Sequence, residues 1–399
     1  MKHLFPGATG HFSLIQGCYW MTYCILISFS SLYLLDRGFT NTQIGLLLGI
    51  AGLTAAILQP FVGAKGDHLK VLSLRQFTSL PIAAMILCGV GLLLVPAKPV
   101  QAALYMVLLV LLQLLTPLIY SLGMDCLNNH IELNFGLARG IGGGTYALAS
   151  AVCGSLAAAL GARVIPLVLV VAVALMLAFT FTFRQGGPVK STLPKPDALP
   201  QSDGTPFLKK YPQVLPLLIG VILLYTSHNV IMNFPYQIVR SLGCGSAEMG
   251  HYLTLQSLMD IPAMVVFSLL LKRASSRAWV RLTGISFFLH ALLTWLAPNL
   301  PFLMVVQVFE MSGYALYSVS SVYFVNEMVD LCDRVQGQTY FTMANTIGIV
   351  LSSVLGGRLL DLGGASASLC LATVTGAAGM VILWFLLRRK SLRPATNAA

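Results

Sequence analysis

Two carboxylates stand where water is scarce. Of the 13 acidic side chains, all but Asp260 and Glu310 fall in polar breaks or near the ends of apolar runs. A charge at the centre of a bilayer costs at least about 2.5 to 3.5 kcal/mol, so each of the two needs a partner or a task. Glu310 lies about nine residues into its apolar run, roughly 13 Å at the helical rise. His290 lies at a similar depth in the run before it. Histidine titrates near neutrality, and the proton affinity of a carboxylate follows its solvation and neighbours. The pair could therefore take up and release a proton; a fixed hydrogen-bonded pair is the other reading. Asp260, followed by the helix-kinking Pro262, is a second candidate for coupling or solute contact, with structural pairing equally open.

Uncharged groups suited to a hydroxylated solute cluster elsewhere. His228 and Asn229 fall one turn after Tyr225, and Asn233 follows at i+4, spacings that share a helix face. Tyr19, Trp20, Tyr23 and Tyr146 offer rings on which a sugar or base could stack, although such residues are also common at membrane interfaces and in packing. No Gly-x-Ser-x-Gly, His-Glu-x-x-His or paired-aspartate motif falls within an apolar run, so nothing points to an intramembrane enzyme. No catalytic residue, cofactor or metal site is called for. The eight cysteines are scattered, with only Cys244 in an outer loop, and form neither a disulfide framework nor a zinc spacing.

The elements that carry these residues are membrane spans. Hydrophobic residues are 57% of the 399 and charged residues 9%, against about 25% charged in a soluble domain. Runs long enough to cross the hydrocarbon fall near 11–35, 42–62, 76–95, 101–124, 140–160, 164–183, 214–239, 248–271, 279–297, 302–325, 338–359 and 365–387. The expected fold is therefore an all-α polytopic membrane protein of twelve transmembrane helices. The net charge of +11 could suggest nucleic acid, but placing the N-terminus inside puts all but five of the 24 Lys and Arg on the cytoplasmic face. That is the positive-inside bias, and nucleic acid is not an expected partner. The expected location is the cell membrane, multi-pass, with both termini cytoplasmic, and the expected state is a monomer in the lipid bilayer.

A Pro- and Lys-rich break divides the chain nearly evenly. We expect an N-terminal six-helix bundle over 1–184, a cytoplasmic linker over 185–212 and a C-terminal six-helix bundle over 213–399. Gly143, Thr145, Tyr146 and Gly154 in the fifth span recur as Gly337, Thr339, Tyr340 and Gly348 in the eleventh. Duplicated halves are the common plan of secondary transporters.

Between spans two and three lies Gly63-Ala64-Lys65-Gly66-Asp67-His68-Leu69-Lys70. This resembles the loop signature of the major facilitator superfamily, which implies two pseudo-symmetric six-helix bundles. Gly63 would permit close helix approach, while Asp67, with Lys70 nearby, would act as a conformational latch. The preceding Gln59-Pro60-Phe61-Val62 sharpens the likeness toward the lactose permease-like proton symporters. By that resemblance Asp125, Arg139, Tyr146, Tyr225 and Gln307 contact substrate and Glu310 falls in the coupling region. The likeness has gaps. Leu137 replaces an arginine, and Gln307, Glu310 and Gly313 stand where lactose permease carries lysine, histidine and glutamate.

The resemblance implies a proton-coupled secondary transporter of a small polar solute, such as a sugar, oligosaccharide or nucleoside, working by alternating access. A drug/proton antiporter is the alternative, disfavoured because the fifth span lacks the Gly-Pro pair such exporters carry. A non-transporting membrane sensor is a further one.

Overall fold

Hydrocarbon gives a backbone amide no partner, so a chain can cross it only as helices or a closed barrel. The computed structural model describes residues 7–67, 73–128, 131–183, 206–270, 273–330 and 333–388, with backbone alone at 63–67, 128, 263–270 and 335. Among these residues there is no strand. α1 (Gly7–Tyr23) runs through a π turn, Cys24–Ser28, into α2 (Ser30–Asp36). There follow α3 (Asn41–Asp67), α4 (Leu74–Leu94), α5 (Lys98–Asn128), α6 (Phe135–Leu160) and α7 (Ile165–Thr182). A single turn, α8 (Phe207–Lys210), precedes α9 (Val214–Asn233), α10 (Pro235–Ser241), α11 (Ser246–Leu270) and α12 (Ser276–Trp295). α13 (Leu300–Val306), α14 (Val308–Glu310), a π turn at Met311–Ala315 and α15 (Leu316–Met328) form one interrupted run, and α16 (Arg334–Arg388) ends the described chain.

Among the described residues, eight helices are long and apolar enough to span a membrane, and up to nine if α1 and α2, bent by 49°, make one span. Leu87, Leu94, Phe61, Val305 and Leu362 are each more than two-thirds exposed, as a lipid-facing surface would have it. Two expected spans form the single element α16. It breaks at Gly363 (φ −143°) and Gly364 (φ 65°), where a left-handed conformation suits glycine. The span expected over 214–239 stops at Asn233. Pro235 has no N–H to give, and Phe234 before it leaves the helical region (φ −128°, ψ 42°).

The helix starts follow side-chain capping. Ser73 and Gln76 form a capping box at α4, and Asn134, Ser275 and Asn299 cap α6, α12 and α13.

The chain divides into two compact units, the described residues of Met1–Thr192 with Asn233–Leu258, and those of Leu193–Met232 with Met259–Ala399. In the first, α1 packs chiefly on α6. α6 also meets α11 backbone to backbone: a Cβ at Gly154 would lie 2.6 Å from the Ser246 carbonyl oxygen and 2.8 Å from Gly250 Cα. In the second unit, Gly348 admits the backbone of α9 in the same way, with Ile222 O 2.8 Å from a would-be Cβ. Small residues let helices touch where lipid supplies no hydrophobic drive. α9 is the most enclosed of the spanning helices, with 67% of its apolar window buried against 33–44% for the others.

Candidate functional site

The interrupted run α13–α15 sets the position of Glu310. At its first break the Gln307 N–H reaches back three residues to Met304 O, and the Glu310 N–H likewise to Gln307 O. The helix is wound tighter there. That leaves Leu303 O free of its usual partner, and the Gln307 side-chain amide donates to it at 3.0 Å. The chain then loosens into the π turn, a form that recurs at functional sites. Glu310 sits where the tightened turn meets the loosened one.

Its carboxylate is 2% exposed, and Oε2 lies 3.4 Å from His228 Nδ1 on α9 and 3.4 Å from His290 Nδ1 on α12. Tyr314, within the π turn, stacks on the His228 ring at 4.7 Å and 4°. Phe287 and Tyr225 pack edgewise and tilted around the imidazole, and the Gln307 side chain adjoins His290. Three titratable groups so close share protons as a unit. A carboxylate buried this deeply needs a compensating partner, and both imidazoles lie close enough to supply one. Each of the three offers one ligand atom, all within 4.8 Å of one another, so the group could also hold a metal ion.

Of the residues expected to couple protons, Glu310 and His290 therefore come together, and Asp260 is not in their group. Asp260 stands half-buried on α11. His228, expected to meet substrate, lies against the acid. Tyr225 is buried beside it, Asn229 donates its amide to Tyr225 O at 2.9 Å, and Gln307 is wholly buried. The NH2 groups of those last two amides thus go to carbonyls of their own chain segment, while Gln307 Oε1 is buried with no hydrogen-bond partner among the described residues.

In the first unit, Tyr19 bonds Thr116 through its hydroxyl at 2.5 Å. The Tyr146 hydroxyl bonds Ser28 in the first π turn at 2.6 Å. That turn frees backbone groups, and the Tyr105 hydroxyl from α5 donates to Leu26 O at 2.8 Å. Tyr23 and Tyr19 flank Trp20, and Arg139 lies over the Trp20 ring at 3.9 Å. Asp125 is half-buried on α5. Gly63 and Asp67 lie in the last turns of α3, but the Asp67 side chain and Lys70 lie outside the described residues, so the latch geometry does too.

Sequence reasoning missed the cation–π contact of Arg139 and a polar cluster at the foot of α9. There Lys210 Nζ lies 2.7 Å from Asp333 Oδ2 and 3.0 Å from Asp330 Oδ2, and Tyr211 donates to the same carboxylates. The pairing of Asp330 and Asp333, three apart after α15, with Lys210 has no local sequence signal.

A sequence profile described as the MFS_1 like family matches residues 13–369. No curated protein matches the chain. Among solved structures, a single-site variant of the nucleoside transporter NupG is similar with a TM-score of 0.79 and 14% identity, covering 96% of this chain and 99% of that one. NupG without that change gives a TM-score of 0.73 at 16% identity over the same shares. A POT family transporter in complex with 5-aminolevulinic acid gives 0.74 at 12%, covering 96% of each chain. At these identities the likeness is one of fold.

Proposed function

The chain belongs to the MFS_1 like family, and on that premise we propose that it is a proton-coupled symporter of a small polar solute. Membership makes it a multi-pass membrane transporter; the coupling ion, the solute and the direction are our reading. The observation that carries it is the buried carboxylate set 3.4 Å from two imidazole nitrogens. A transporter that draws on a proton gradient needs a titratable acid out of bulk water. Glu310 is one of two deeply placed acids in the sequence.

In this reading solute binds while the His228–Glu310–His290 group is protonated, and the group loses its proton on the inner side after the solute leaves. A sugar, oligosaccharide or nucleoside is the proposed cargo, supported by the hydroxyl- and ring-bearing residues of both units. The solved nucleoside transporters of like fold make nucleosides a natural part of the first uptake panel. Twelve spans, two six-helix bundles and a monomer of the lactose permease-like branch complete the proposal.

The test is uptake into proteoliposomes. A potential of 100 mV supplies about 2.3 kcal/mol per charge, enough for roughly fifty-fold accumulation. Glu310→Gln imitates the protonated acid, so it should keep solute exchange across the membrane and lose uphill accumulation. Asp260→Asn is the control and should accumulate. If Glu310→Gln accumulates solute and Asp260→Asn does not, the coupling role passes to α11.

A further inference from the structure

Gln16, Trp20 and Tyr23 follow one another at i, i+4 and i+7 on α1, a spacing that aligns them on one face. The indole of Trp20 lies against the backbone of α6 because residue 142 is glycine: a Cβ there would stand 2.4 Å from indole Cδ1. Arg139, three residues earlier on α6, sets its guanidinium 3.9 Å from the indole centroid. The Tyr23 ring lies 5.1 Å from the indole and the Tyr19 ring 5.4 Å, edge-on.

This aromatic group is full of donors that lack acceptors. A guanidinium carries five N–H groups, and Arg139, partly exposed, makes no ion pair within 4.0 Å and no hydrogen bond with any described residue. The Trp20 Nε1–H is buried without an acceptor. Gln16 is wholly buried, and neither atom of its side-chain amide has a partner among the described residues. A buried donor left unsatisfied costs about 1 to 3 kcal/mol, and a cation–π contact satisfies the face of a guanidinium but not its edge.

We infer that the first unit recognises solutes that carry a carboxylate on a ring, the carboxylate taking the open edge of Arg139 and the ring lying among Tyr19, Trp20 and Tyr23. A planar carboxylate matches the guanidinium fork in two parallel hydrogen bonds. Its single negative charge matches the single cation, whereas a phosphate monoester carries nearly two. Aromatic side chains accept the face of a pyranose or an arene alike. The inference rests on the transporter reading above and narrows its polar solute to an organic acid, of which a sugar acid is the form closest to that reading.

Two pairs of probes decide it with the purified full chain in detergent, by calorimetric titration without any gradient: D-glucuronate against D-glucose, and benzoate against benzamide. Each pair keeps the ring and changes the charge. At least one acid should bind about ten- to a hundred-fold more tightly than its neutral partner, the range of a charge-assisted hydrogen bond. The two arms tell a sugar acid from an aromatic acid. Arg139→Gln should bring the two members of the pair to within about three-fold. Arg139→Lys, which keeps the charge and loses the fork, should retain part of the preference and serves if the first variant does not fold. Neutral probes binding as well as the acids, no binding of either acid, or a preference that Arg139→Gln and Arg139→Lys leave intact would each overturn the inference. A carboxylate preference without proton-driven uptake would remove the coupling proposal alone.

Discussion

Glu310 presents one oxygen to two imidazole nitrogens at equal distance, and neither ring has a geometric claim to be the sole partner. His290 was the expected one, since it lies at matching depth in the preceding span. His228 reaches the same oxygen from α9, held flat against Tyr314. If both rings share the proton, His228→Gln and His290→Gln should each weaken accumulation several-fold, while the double variant should fall well short of the product of the two, since groups acting as a unit are non-additive. Counterflow and uphill uptake measured on the same vesicles separate this from lost solute binding. An accumulation ratio untouched by His228→Gln would return that residue to the role of a solute contact.

At the scale of elements, the interruptions are where polar groups gather. The π turn of the first bent helix frees Leu26 O for Tyr105 and positions Ser28 for Tyr146, and the tightened turn at Gln307 places Glu310. Interrupted helices are tolerated at membrane depth only where something re-satisfies the backbone. α8 is held differently, by Phe207 stacked on Tyr340 at 4.9 Å and by Lys210 in the carboxylates of Asp333 and Asp330. The hydrogen bonds that Lys210 donates to Asp333 and then Asp330 raise its pKa above the usual value, and burial pushes the Tyr211 hydroxyl up to about 12. For groups raised in the folded state, the stabilisation is complete below the unfolded values near 10 and is lost as pH rises through the folded ones. Thermal unfolding in detergent should thus show a Lys210→Met penalty that is constant from pH 7 to about 9.5 and shrinks above pH 10. Leaving Asp333 without its cation should cost about 2 kcal/mol at neutral pH. A penalty independent of pH up to 12 would show that Lys210 acts by packing alone.

For the whole molecule, orientation in the membrane sets the side on which a proton would be released. The basic residues crowd the breaks that would be cytoplasmic if the N-terminus is inside, and these include the linker expected over 185–212. The linker's residues up to 205 lie outside the described part of the chain. A cysteine introduced at Ser202, in a background stripped of reactive thiols, should resist an impermeant thiol reagent in intact cells and react after permeabilisation. Labelling from outside would invert the topology and, with it, the side on which Glu310 is proposed to release its proton.

The sequence by itself determined that this chain crosses a membrane many times, because apolar runs of span length and a shortage of charge are properties of composition and order. The loop from Gly63 to Lys70 was enough to point to the major facilitator superfamily, and depth along a span was enough to narrow the acids to Asp260 and Glu310. What spacing could not decide was which helix faces meet. A helical period says that Tyr225 and His228 share a side of α9, but whether that side meets α12 or another helix depends on packing between segments more than sixty residues apart. Only the tertiary structure brought His228 to Glu310, turned the amides of Asn229 and Gln307 onto their own backbones, and laid Arg139 on Trp20 across the gap that Gly142 leaves. The breaks at Gln307 and in the two π turns were likewise invisible, since no proline or glycine marks where they begin. They arise from competition among side chains and neighbouring helices for backbone carbonyls, which is settled in three dimensions.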